Sequence, residues 1–195
     1  TDTALAKLLP ELEQQALDSA ARATTGDLRR NWFTTFTGVA STPTGLEAAR
    51  ALLNGSKVIP GLDVSGDIRW DLLDILSRNG AADIDALLAT ASAADPSDYG
   101  AKRALKVQAA QPDAALKAKW LKELQSPREL EGLANQRAVM SGLFPPNQTA
   151  LQLELLPRIL AALPDLSASS DPYFMSSYAS VLLALLFTAA TQWLP

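Results

Sequence analysis

The chain reads as an all-α protein in which helices stack as hairpins. Three observations predict this. Apolar residues recur at three- and four-residue steps, and no alternating pattern persists. Ala and Leu are abundant while aromatics make up only 6% of the 195 residues. That balance favours helices over sheets. Most breaks between apolar runs carry helix-terminus signals, with Thr, Ser or Asp beside Pro at entries and Asn-Gly at exits.

The elements follow in order. Leu5, Leu8, Leu9 and Leu12 fall on one helical face, and Pro10 predicts a kink or a fresh start within that stretch. Gly26 breaks the chain, and a second helix carries Leu28, Trp32, Phe33 and Phe36. Thr42-Pro43 opens a third, with Thr as N-cap and Pro as first helical residue. Its apolar face is Leu46, Ala49, Leu52 and Leu53, and Asn54-Gly55 ends it. Residues 56–66 read as a loop. The clearest helix follows, with a stripe of Ile68, Leu72, Ile75 and Leu76 widened by Trp70 and Leu73, closed by Asn79-Gly80. A face this broad predicts neighbours on two sides.

Ile84, Leu87 and Leu88 mark the next helix, which ends near Asp95-Pro96. Ser97 caps another, running through Ala104, Leu105 and Ala109 to a break at Pro112. Leu116, Trp120, Leu121 and Leu124 mark one more. Ser126-Pro127-Arg128-Glu129 places a cap, a first-position Pro and a Glu three residues after the cap. The helix it predicts continues through Leu130, Leu133, Ala134 and Val139. Residues 151–163 form a helix with a kink or break at Pro157, residues 167–170 a linker, and Asp171-Pro172 caps the last helix. The sum is about ten helices of roughly 10–20 residues with short joints. Arg30-Asn31-Trp32, Arg69-Trp70 and Lys119-Trp120 each set a Trp after a basic step. Their unequal spacing suits an α-α superhelix of the HEAT or armadillo kind, with repeats of roughly 40 residues.

Composition excludes several functions. Lys and Arg number 17 against 21 Asp and Glu, and the net charge of −4 argues against a general nucleic-acid partner. The absence of Cys removes disulfides, thiol catalysis and thiolate metal sites. The absence of His removes a Ser-His-Asp triad. No phosphate-binding Gly-Lys-Ser loop and no Gly-x-Ser-x-Gly elbow occurs. A chain without Cys suits a reducing compartment, so a cytoplasmic location is expected. Residues 178–190 are short for a membrane span and contain Ser180 and Thr188, so they read as a buried last helix, with no membrane partner. The start at Thr1-Asp2-Thr3, with no Met and no signal sequence, reads as a cut within a longer protein.

Acidic pairs such as Asp71 with Asp74, Asp83 with Asp85, and Glu129 with Glu131 read as solvated faces and first-turn charges. No catalytic or metal-ligating set is assigned. The basic stretch is richer, with Lys102, Arg103, Lys106, Lys117, Lys119, Lys122 and Arg128 close in sequence. Lys102 and Lys106 stand one helical turn apart on one face. A solvent-facing surface is the plainer reading of the whole stretch. Trp70 and Trp120 read as core anchors, and Arg69 as a partner for a carboxylate or a helix-end carbonyl.

Three segments carry a resemblance. The first is residues 66–80, with Arg69-Trp70, Leu72-Leu73 and the closing Gly80. The second is residues 104–113, followed by Lys117, Lys119 and Trp120. The third is Met140 to Gln148, with Gly142, Phe144 and the Pro145-Pro146 turn. In order and spacing they resemble the C-terminal helical domain of aminopeptidase N-like zinc metallopeptidases, with the actinobacterial branch most similar. The resemblance implies that residues 1–195 are the C-terminal helical domain of a longer aminopeptidase. The zinc, its ligands and the site for the substrate amine would then lie in a catalytic domain outside this chain. It implies a domain inactive alone and without a cofactor, which closes a substrate chamber. Its partners would be that catalytic domain and the peptide substrate. Lys102, Arg103 and Lys106 are the candidate contacts for a peptide's carboxylate tail. The rival expectation is a stand-alone α-solenoid that binds a protein on its concave surface.

Overall fold

Side-chain caps mark where several of these helices begin. A computed structural model describes residues 2–126 and 130–182. Their regular structure is helical throughout, as the apolar spacing predicts. The elements are α1 (Asp2–Arg22), α2 (Gly26–Val39), α3 (Pro43–Leu53), α4 (Gly66–Arg78), α5 (Ile84–Ala94), α6 (Asp98–Ala109), α7 (Ala114–Gln125), α8 (Leu133–Leu143), a 3-10 turn (Pro146–Gln148), α9 (Thr149–Ala161), α10 (Leu163–Ser169) and α11 (Pro172–Leu182). Thr42 Oγ1 accepts from the Gly45 N–H at 3.1 Å, Ser97 Oγ from Gly100 at 3.0 Å, and Asp171 Oδ1 from Tyr173 at 2.7 Å. Each satisfies a first-turn N–H that has no partner within the helix. The exit of α4 uses Gly80 at φ 75°, a left-handed conformation that glycine adopts without a Cβ clash.

The chain divides into two compact units at Ala91. In the first, α1 packs on α2 and α3 on α4. Phe33, Phe36, Leu52, Trp70, Leu72 and Ile75 are all buried there. A buried carboxylate joins the elements. Glu13 of α1 is 2% exposed, and its Oε1 accepts from the N–H groups of Ser41 (2.8 Å) and Thr42 (2.9 Å). Its Oε2 accepts from the Thr42 hydroxyl. The carboxylate thus lies at the positive end of α3. Gly45 leaves room for it, because a Cβ there would fall 2.4 Å from Glu13 Oε2. On the preceding residues of the same joint, Arg78 Nη2 donates to the carbonyls of Thr37 (2.5 Å) and Ala40 (3.3 Å). Asn79 Nδ2 donates to Ile75 at 2.8 Å and Ala40 at 3.4 Å.

In the second unit, α8 lies against α6, α7 and α11. Trp120, Leu121, Leu124, Val139, Met140, Leu143, Ile159 and Tyr178 form its core. The α6–α8 approach is close enough that a Cβ on Gly142 would fall 2.1 Å from the Lys106 carbonyl oxygen. Polar side chains inside this core bond helix carbonyls. Gln148 Nε2 donates to the Ala110 carbonyl at 2.7 Å, and Gln152 Nε2 to that of Leu182 at 2.9 Å.

Several expectations are refined. Pro10 starts no new helix, because α1 spans Asp2–Arg22 with the proline inside it. The buried face of α1 is Glu13, Ala16, Leu17 and Ala20, whereas Leu8 is 59% and Leu12 43% exposed. Small alanines let α1 approach α2, so this seam is marked by Ala and not by the larger Leu. Ser126 ends α7 rather than opening a helix. Gly132 then takes φ 82°, which a helix cannot include, and α8 starts at Leu133, after Leu130. Residues 167–169, expected in a linker, belong to α10, and Pro157 lies inside an unbroken α9. Pro127, Arg128 and Glu129 lie outside the described residues, as do Leu183, Leu185, Leu186 and Phe187 of the expected last helix.

Candidate functional site

The cationic helix α6 is fixed at both ends. At its start Asp95 Oδ1 accepts from Ser97 Oγ at 2.6 Å while Ser97 caps the helix. The turn closes so tightly on Gly100 that a Cβ there would fall 2.3 Å from the Asp95 carbonyl oxygen. At its end, Lys117 Nζ donates to the Ala109 carbonyl at 2.7 Å, beside the Gln148 bond to Ala110. These contacts set the rotation of α6 and so the direction in which its cations point.

Lys102, Arg103 and Lys106 occupy successive turns of this helix, with Asp98 its one acidic residue. Lys102 forms an ion pair with Asp98 one turn earlier. The Arg103 guanidinium lies 5.4 Å from the centre of the Tyr99 ring, and Tyr99 is exposed. Lys106 is half-buried, at the level where Gly142 meets the helix backbone. Within α6 itself three cations stand with one acid, beside the exposed ring of Tyr99.

The rest of the basic stretch does not form one surface. Lys119 pairs with Glu123 at 3.6 Å. Lys122 is exposed. Lys117, expected on a solvent-facing surface, is fully buried. Its ammonium lies 5.7 Å from the centre of the Phe144 ring, and burial pulls its pKa down to about 7. The cause is desolvation of the charged form. The signal was in the sequence, because Lys117 falls three, four and seven residues before Trp120, Leu121 and Leu124, within their stripe. Trp70 and Trp120 are core residues, 1% and 5% exposed. Arg69 makes no hydrogen bond or ion pair with a described residue.

Among the described residues no group of three or more His, Cys, Asp or Glu side chains converges to hold a metal. No described helix is long and apolar enough to cross a membrane. Among the described residues several polar side chains bond helix-end carbonyls, and α6 carries a row of cations. The fold is that of an all-helical domain. Residues 2–192 match the ERAP1-like C-terminal domain, and the chain belongs to that family. It is 32% identical over 174 residues to Aminopeptidase N of Streptomyces lividans, covering 86% of this chain. The matched part is 19% of that relative's length.

Proposed function

We propose that this chain is the C-terminal domain of a cytoplasmic zinc aminopeptidase, a parent enzyme that removes N-terminal residues from peptides. The match across residues 2–192 carries the reading, supported by the identity with Aminopeptidase N. The chain itself does not fit zinc. It has no His or Cys, and its described carboxylates form no ligand cluster. The metal would therefore be held by the rest of the parent polypeptide. The role of this domain is architectural: it closes the substrate chamber and limits what enters. Lys102, Arg103 and Lys106 of α6 face the peptide's distal end and draw in its carboxylate.

Two experiments test this. The natural polypeptide, captured with an antibody to this chain, is weighed and assayed for zinc and for release of N-terminal amino acids. A large zinc-bearing aminopeptidase is expected, and a zinc-free chain of this size with no peptidase activity overturns the reading. For the tail contact, Lys102→Gln and Lys106→Gln are combined in the full-length enzyme. KM is expected to rise for peptides long enough to reach α6 and to stay constant for aminoacyl amides. Equal KM values for every peptide length would remove α6 from substrate binding.

A further inference from the structure

A cleft of about 310 Å³ opens in the first unit between α3, α4 and the middle of α5. Helical spacing assembles it. Arg50 and Leu53 share a face of α3, and Arg69 and Leu73 share a face of α4. Leu87 supplies the α5 wall. At the rim Arg50 and Asp83 form a two-pronged pair, with Nη2 to Oδ1 at 2.9 Å. Hydrogen bonding to Arg50 holds the Asp83 carboxyl below its usual range, and the same bond raises Arg50. Those two charges cancel. Arg69 is left, half-buried, with no hydrogen bond or ion pair to any described residue. A guanidinium presents a planar fork of donors that suits a carboxylate. Apart from it the interior is mainly aliphatic, and the volume is at the small end of ligand pockets.

We propose that this cleft binds a small apolar monocarboxylate, with the carboxylate on Arg69 and the aliphatic body against Leu53, Leu73 and Leu87. The single uncompensated cation selects one negative charge, and the aliphatic walls exclude a strongly hydrated ligand. This site lies in the first unit, whereas Lys102, Arg103 and Lys106 lie in the second. It does not depend on the aminopeptidase reading. The same chemistry is presented by a free carboxylic acid and by the terminal residue of a peptide.

Calorimetric titration of the chain separates the possibilities, using isocaproate, N-acetyl-leucine and the primary amide of each. At least one acid is expected to bind, with its amide about tenfold weaker or more. Tighter binding of isocaproate identifies the free acid as the source, and tighter binding of N-acetyl-leucine a chain terminus. Arg69→Gln is expected to reduce acid binding by about tenfold or more. Thr90→Trp fills the cleft from the exposed side of α5 without altering charge, and is expected to abolish binding. It decides the matter if the Arg69 variant does not fold. Failure of both acids to bind at millimolar concentration overturns the proposal. So do amides that bind as tightly as the acids, or a folded Thr90→Trp variant that binds like the wild type.

Discussion

Replacing Gly45 by Ala should change the sign of its effect according to what stands at position 13. Ala is the better helix former by about 0.5–1 kcal/mol in a helix interior. In the wild type that gain is outweighed, because the new Cβ would fall 2.4 Å from Glu13 Oε2 and displace a carboxylate that holds three donors. A net loss of about 1–3 kcal/mol is expected. Glu13→Ala alone leaves the Ser41 and Thr42 N–H groups without their acceptor. Each bond to a charged group contributes about 1.5–3 kcal/mol, so a loss of about 3–6 kcal/mol is expected. In that background the obstruction is gone, and Gly45→Ala should stabilise by about 0.5–1 kcal/mol. The coupling between the two sites is then at least about 1.5 kcal/mol. Urea unfolding of the four proteins, followed by far-ultraviolet circular dichroism, measures it. A Gly45→Ala effect of the same sign and size in both backgrounds would refute the reasoning.

The buried amine gives a pH signature. Lys117 keeps a pKa of about 7 in the fold against 10.5 ordinarily, so between these values the unfolded chain binds the extra proton and stability should rise with pH. Its burial penalty is complete below pH 7 and gone above 10.5. Lys117→Met should remove that rise, and urea midpoints of the two proteins that run parallel from pH 7 to 10 would contradict it. Gly142→Ala would set a Cβ 2.1 Å from the Lys106 carbonyl oxygen, part of a backbone that cannot swing aside. About 2–3 kcal/mol of lost stability is expected, and an unchanged urea midpoint would show that α6 and α8 can separate freely.

The sequence makes helices with broad apolar faces and local caps legible. The stripe of α4 and the caps at Thr42, Ser97 and Asp171 are readable because each signal lies within one or two turns. What it hides depends on partners distant along the chain. Nothing local marks Glu13 as buried, because its partners Ser41 and Thr42 lie 28 and 29 residues later. On α1 the large Leu side chains dominate the sequence pattern, while the alanines that allow close approach form the buried face. Ser126-Pro127 resembles a helix start in isolation, yet Gly132 sets the actual one. The cations of α6 were legible as a group, whereas Lys117 was hidden because its charge obscured its place in an apolar stripe.

The hydrogen bonds of Arg78 bring the carbonyl ends of α2 and α4 to one point. Each helix carries roughly half a negative charge at that end, so the two should repel. A single guanidinium between them converts the repulsion into attraction. Burial lowers the pKa of Arg78, while Asp74 at 3.7 Å works in the opposite direction. Arginine remains a cation under such conditions where lysine readily gives up its proton. At this junction the two basic residues are therefore not equivalent, and Arg78 supplies the charge while Asn79 adds a neutral bridge between the same helix ends.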